Sequence, residues 1–269
     1  MSFPHILILG AIAGLTIFLG LPIATLNRIG TKAKSVLTGI ATGILLFLAI
    51  EILSKVFEAG EASLVAATSG HVSSGSAAST LVLLVVGLLV GLLGIPLIER
   101  GFIKPMSTRS SQKTGETASP SPTSLSLSIA AGIGLHNFGE GLAIGQSAAT
   151  GAISLAILLI VGFGLHNMTE GFGVAAPLAG TKPSALFIGG AGLMAGGPTF
   201  LGTLVGSTWT SSLATVIFLS LAGGSLVYVT LELVSMGKAN LRKLPFLASI
   251  AGGLLAGYLT DLVTGVAGA

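Results

Sequence analysis

Residues 125–178 read LSLSIAAGIGLHNFGEGLAIGQSAATGAISLAILLIVGFGLHNMTEGFGVAAPL, and one frame occurs in them twice. Gly132-Ile133-Gly134-Leu135-His136-Asn137-Phe138-Gly139-Glu140-Gly141 returns 30 residues later as Gly162-Phe163-Gly164-Leu165-His166-Asn167-Met168-Thr169-Glu170-Gly171. Each copy of GxGLHNxxEG sits inside a run that is otherwise apolar and long enough to span a bilayer, about 20 residues being sufficient. The break between the runs, at 151–152, is too short for anything but a tight antiparallel hairpin. The two frames therefore run in opposite directions through the membrane, as an inverted pair.

The flanking sequence has the same character. The chain of 269 residues is 52% hydrophobic and only 8% charged, with mean hydropathy +0.98, whereas about a quarter of the residues of a soluble domain are charged. Long apolar blocks rather than short alternating segments exclude an outer-membrane barrel and leave an all-α integral membrane protein. Eight spans are expected, at 5–27, 34–57, 80–99, 125–149, 152–178, 184–206, 211–235 and 246–266, forming one transmembrane domain over 1–269. Residues 105–124, rich in Ser and Thr with Pro105, Pro120 and Pro122, read as a flexible loop. No basic stretch precedes the first apolar run, so Met1 to Leu26 reads as a retained span and not as a cleaved signal.

Basic residues in short loops remain on the cytoplasmic side. Arg28, Lys32 and Lys34, then Arg100, Lys104, Arg109 and Lys113, then Lys182, then Lys238, Arg242 and Lys243 place eleven of the twelve in alternate loops. Only Lys55 falls at the other end, so both termini are expected outside and the long loop in the cytoplasm. An odd number of spans would destroy this segregation. Small residues four apart, at Gly39/Gly43, Gly87/Gly91, Gly141/Gly145, Gly202/Gly206 and Gly253/Gly257, suit close helix packing in lipid. Pro22, Pro177 and Pro198 lie inside spans and should kink them.

No cysteine is present, which removes disulfides and thiolate metal sites, and twelve basic against nine acidic residues is too small an excess to suggest nucleic acid. No GxxxxGK[ST] stretch offers a nucleotide site. The chemistry lies in the duplicated frame. An intramembrane carboxylate costs several kcal/mol even on the lenient insertion scale, and this chain carries two, each one turn from a histidine. His136 and Glu140 share a helix face, as do His166 and Glu170, and His136 lies roughly 16 Å into its span, near mid-membrane. If both faces turn inward, two imidazoles and two carboxylates converge. Nitrogen and oxygen donors without sulfur suit divalent Zn, Fe, Co, Ni or Mn, and two carboxylates balance the charge of one such ion. Asn137 and Asn167 could offer amide oxygens to the ion or hydrogen-bond across the helix interface. Polar glue between helices and a proton relay are the competing readings; structural polar contacts rarely require two matched carboxylates at membrane depth, which favours the metal site.

HNFGEG at 136–141 and HNMTEG at 166–171 resemble the ZIP (Zrt/Irt-like) family of divalent-metal transporters. Spans one and six, the remaining spans and the loop after span three follow the same pattern more loosely. The resemblance implies a 3+2+3 arrangement with an inverted repeat, an elevator-like movement of a four-helix unit, and a homodimer. It implies that His136, Glu140, His166 and Glu170 form the primary transport site, and that Asn137, Asn167 and the two glutamates adjoin a second. Gly139 and Thr169 stand where the family often has proline, and Gly197 stands where a glutamate would complete the second site, so one strong metal site is expected. The loop also lacks histidine.

The expected activity is movement of a divalent metal into the cytoplasm, with zinc first and iron, manganese, cobalt, nickel or cadmium behind it. The expected location is a plasma or bacterial inner membrane. An intramembrane metal-dependent hydrolase is the alternative, but with both glutamates as ligands it lacks a free base, and HExxH is absent. Glu51 and Glu232 are candidates for the transport pathway. Glu51 has a competing assignment as the helix salt-bridge partner of Lys55. His5 and His71 read as surface residues, and Glu99, Arg100 and Asp261 as interfacial charges.

Overall fold

The computed structural model describes residues 2–25, 30–98, 121–149, 151, 153–209, 211–238 and 243–267. Among these residues there are eight α-helices and no strand. They are α1 (Phe3–Leu15), α2 (Thr31–Thr68), α3 (Ser74–Ile98), α4 (Pro122–Ala149), α5 (Ile153–Ala175), α6 (Ala185–Thr208), α7 (Ser212–Lys238) and α8 (Lys243–Ala267). Six segments, Phe3–Thr25, Thr31–Thr68, Ser74–Leu97, Ala185–Thr208, Leu213–Ser235 and Lys243–Leu262, are long and apolar enough to cross a membrane. Helices α4 and α5, which carry the duplicated frame, have 28 and 23 residues, or about 42 and 34 Å of length against a hydrocarbon core of about 30 Å.

Three helices depart most from the expected spans, and α3 does so by beginning at Ser74, six residues before the expected start at 80. Helix α2 continues through Glu58–Thr68, eleven residues beyond the expected end at 57. That stretch, EAGEASLVAAT, is rich in Ala and Glu, which form helix well without being apolar enough to extend a membrane span. Helix α4 begins at Pro122, inside the expected loop 105–124, because Ser121 caps it: its Oγ accepts the Ser124 N–H at 3.1 Å, and Pro122 takes the first helical position. The rest of that loop, with Arg109 and Lys113, lies outside the described residues, as do Arg28, Glu99, Arg100, Lys104 and Arg242.

The prolines act locally. After Leu15, α1 tightens into 3-10 turns at Thr16–Leu19 and Leu21–Thr25, the second holding Pro22; Pro177 lies in the 3-10 turn Ala176–Leu178 that ends α5. Pro198 stays inside α6, and Pro96 inside α3. Gly151 turns the chain between α4 and α5 at φ 81°, a left-handed conformation that glycine adopts without strain.

The helices sort into two packed groups, α1 with α4, α5 and α6, and α2 with α3, α7 and α8. Reciprocal glycines set the closest approaches. A Cβ on Gly141 would lie 2.1 Å from the Thr199 carbonyl oxygen, and one on Gly202 2.1 Å from that of Phe138, so α4 and α6 touch backbone to backbone. Gly43 and Gly253 do the same for α2 and α8, each 2.0 Å from the carbonyl of Ile250 or Ile40. Between the groups lies a core from Leu45, Leu48 and Ile52 of α2, Leu125, Ile129 and Ile133 of α4, and Leu226 and Leu233 of α7. The outside is apolar as well. Val82, Val86, Leu89 and Leu93 of α3 are all exposed, a surface that is stable against lipid and not against water.

Candidate metal site

Helices α4 and α5 bring both copies of the frame together. His136, Asn137, Glu140, His166, Asn167 and Glu170 are all buried. His136 Nε2 lies 3.1 Å from Glu140 Oε1 and 3.9 Å from Glu170 Oε1, and His166 Nε2 lies 3.9 Å from the same Glu170 oxygen. The imidazoles are tilted at 56° with ring centroids 5.8 Å apart. Ligand atoms of His136, Glu140 and His166 all fall within 4.8 Å of one another, a spacing that one metal ion could bridge. The convergence follows from the local sequence. His and Glu at i and i+4 stack on one helix face, and the Gly151 turn folds the second face against the first.

Among the described residues, eight buried side-chain nitrogen or oxygen atoms have no hydrogen-bond partner, and seven belong to the duplicated frame: Nε2 of His136 and His166, Oδ1 of Asn137 and Asn167, Oε2 of Glu140 and both carboxylate oxygens of Glu170. Orphaned polar atoms in a protein interior are costly. Every one of these can act as an electron-pair donor, and a cluster of donors is stabilised as a whole by a cation. The donor set, imidazole nitrogen with carboxylate and amide oxygen, is that of a borderline divalent transition metal.

The asparagines tie this cluster to the neighbouring helices. Asn137 Nδ2 donates to the Ala195 carbonyl on α6, and Asn167 Nδ2 to the Ala13 carbonyl on α1, both at 3.0 Å. A carbonyl only accepts, so the amide nitrogen must face it and Oδ1 turns the other way.

The eighth orphaned atom is Thr199 Oγ1 on α6, fully buried where α1, α4 and α6 meet. A lone Thr in an apolar helix carries no signal in sequence. Gly197 does not face this junction. A Cβ there would meet nothing within 4 Å, and its neighbours one turn away, Leu193 and Leu201, are exposed. A residue at 197 thus projects into open space on the side of α6 that carries these two leucines.

Glu51 ion-pairs with Lys55 one turn later on α2, and Lys55 lines a cavity of about 290 Å³ together with His136 and Glu140. Sequence reasoning treated Lys55 as a partner for Glu51 and as the one basic residue at the outer end, since nothing in α2 reveals which cavity its face borders. Glu232 is not in this wall. It lies ten residues after Ala222, which is, and so about 15 Å further along α7. His5 and His71 are exposed.

The family model of the ZIP zinc transporters matches residues 104–259, more than half of the chain and the whole of the helical pair that carries the cluster. The chain belongs to the ZIP family. No curated protein matches the sequence. A ZIP protein is a membrane transporter of metal ions and not an enzyme, and the apolar helices with their exposed apolar surfaces agree with a bilayer as solvent.

Proposed function

We propose that this ZIP protein carries a divalent transition metal into the cytoplasm through a site made by His136, Glu140, His166 and Glu170. Zinc is the first candidate substrate, with iron, manganese, cobalt, nickel and cadmium behind it. The observation that carries this reading is the cluster of orphaned donors: ligand atoms of His136, Glu140 and His166 within reach of one ion, with a Glu170 carboxylate oxygen 3.9 Å from both imidazoles. Asn137 and Asn167 direct their free Oδ1 atoms as auxiliary donors while their Nδ2 groups hold the site to α1 and α6. Glu51 belongs to the pathway through its partner Lys55 at the cavity wall, and Glu232 serves at the far end of α7.

We take all eight helices to cross the membrane in a 3+2+3 order with both termini outside, in a plasma or bacterial inner membrane, as a homodimer. The sorting of α1, α4, α5 and α6 away from α2, α3, α7 and α8 supports an elevator-type movement of the first group. Uptake of a panel of metals by proteoliposomes, comparing the wild type with His136→Ala, tests the reading. Flux of at least one divalent metal, lost in the variant, is the expected result; equal flux in both would remove the cluster from the pathway.

A further inference from the structure

Gly139 lacks both of the usual reasons for a glycine inside a helix. It lies within α4, and the left-handed glycines among the described residues are Gly70, Gly151 and Gly180. No neighbour presses on it either. A Cβ there would meet nothing within 4 Å, whereas one on Gly134 or Gly141 of the same helix would lie 2.4 or 2.1 Å from a carbonyl oxygen of α6. Glycine is a poorer helix former than any residue but proline, so position 139 forgoes helix propensity without gaining a packing contact. What lies beside it is the cavity of about 290 Å³. Positions 136, 139, 140 and 143 make one stripe of α4 at i, i+3, i+4 and i+7, and all four residues, His136, Gly139, Glu140 and Ala143, line that cavity. Gly189, Gly190, Gly197 and Gly252 also face open space, but none of them is in this wall. The second copy of the frame differs. Thr169 holds the place equivalent to Gly139, its hydroxyl donating to the His166 carbonyl at 2.7 Å, and of α5 only Phe163 is in the cavity wall. The cluster therefore opens to the cavity at the copy of the frame that has no side chain before its glutamate.

We propose that Gly139 determines access to the metal site: its missing side chain leaves the room beside His136 and Glu140 in which an arriving dication still carries water. The proposal rests on the transport reading above. A divalent cation comes from solution with water as its ligand and exchanges that water for protein donors, so the first donors it meets must face a space that holds ion and water together. At about 30 Å³ per water, the cavity has room for a dication with a full octahedral shell. The apolar parts of its wall, Ile52, Phe163 and Phe218 among them, offer no donor, so the exchange falls to His136 and Glu140. A side chain at 139 would occupy that room and leave the donor set intact. It would slow arrival and departure of the ion alike, and a change that slows both equally leaves the equilibrium affinity where it was.

The test uses the full-length protein with Gly139 replaced by Ala, Val or Leu, and Gly252→Leu as a control whose side chain also enters open space but away from the cavity. For each, Zn²⁺ affinity at equilibrium and Zn²⁺ association rate are measured in detergent, and Zn²⁺ uptake in proteoliposomes. Association and uptake should fall progressively from Ala through Val to Leu, by at least about tenfold for Gly139→Leu. Affinity should stay within about twofold of the wild type in all three, and Gly252→Leu should match the wild type throughout. Uptake by Gly139→Leu within about twofold of the wild type overturns the proposal, because the room is then not needed. An affinity that falls in step with uptake also overturns it, because position 139 then shapes the donors and not the way to them. An equal loss in Gly252→Leu does the same, as a general effect of bulk. If Gly139→Leu does not fold, Gly139→Val carries the same outcomes. Glu140→Gln separates this proposal from the reading beneath it: if that variant binds Zn²⁺ as the wild type does, or if the wild type binds none, the metal site itself fails and the access role with it.

Discussion

Asn137 and Asn167 stand at equivalent places in two antiparallel helices, and each donates its amide to a backbone carbonyl of a different neighbour, Ala195 on α6 and Ala13 on α1, at the same distance of 3.0 Å. The Ala13 carbonyl also accepts Thr16 Oγ1, at 2.6 Å, where α1 tightens into its 3-10 turn. The asparagines thus hold the cluster in place as well as lining it. Asn137→Ala should lower stability by about 1 kcal/mol, the size of an interhelical hydrogen bond in a membrane protein. Unfolding in mixed detergent micelles measures it, and an unchanged midpoint would show that the bond contributes nothing.

Glu140→Gln and Glu170→Gln keep the shape of each side chain and remove its charge. Each should weaken metal binding by at least about a hundredfold, since even partners outside the coordination sphere are worth about 10–100-fold. Folding should survive, because two carboxylates lie near the same His136 nitrogen and lose mutual repulsion when one is neutral. Near-wild-type affinity in a well-folded variant would take that residue out of the site.

Metal affinity should fall with pH. A ligand histidine binds metal only when neutral, and with a reference pKa of about 6.5 each imidazole loses about tenfold in its neutral fraction between pH 7.5 and 5.5. Two such ligands give about a hundredfold weaker binding at pH 5.5. Detergent titrations avoid confusion with proton-coupled flux; constant affinity over that range would mean that neither His136 nor His166 is a ligand.

Each chain should hold one metal tightly, and Gly197→Glu should leave that number at one, because position 197 projects beside exposed Leu193 and Leu201. Anomalous scattering reads the stoichiometry directly. A second well-occupied ion in the variant would place residue 197 at the site after all.

Gly171→Ala is expected to disable the protein without touching a ligand, since its Cβ would lie 2.0 Å from the Ile17 carbonyl oxygen. Overpacking of this kind costs about 1–3 kcal/mol or more. Gly197→Ala meets open space and should stay within about 0.5 kcal/mol of wild type. Equal stability of the two variants would contradict the packing described.

The helices and the buried histidines and glutamates of the duplicated frame were legible in the sequence for one reason: both are contrasts against an apolar background. Histidine and glutamate in the middle of a span are conspicuous, and their duplication made them more so. What escaped notice has no such contrast. The acceptors for Asn137 and Asn167 are backbone carbonyls, which every residue possesses. The last turns of α2 are helical without being apolar. The facing of Gly197 and the neighbours of Lys55 depend on the rotation of helices about their axes, and continuous apolar sequence does not encode that rotation through polarity.

The asparagine anchors also bear on how the chain enters the membrane. Asn167 docks on α1, which the ribosome has already delivered when α5 emerges, whereas Asn137 docks on α6, which is not yet made. The α4–α5 hairpin therefore reaches the bilayer with one anchor available and the other pending. Insertion of the polar pair becomes a vectorial process, completed only when the later helix arrives to close it.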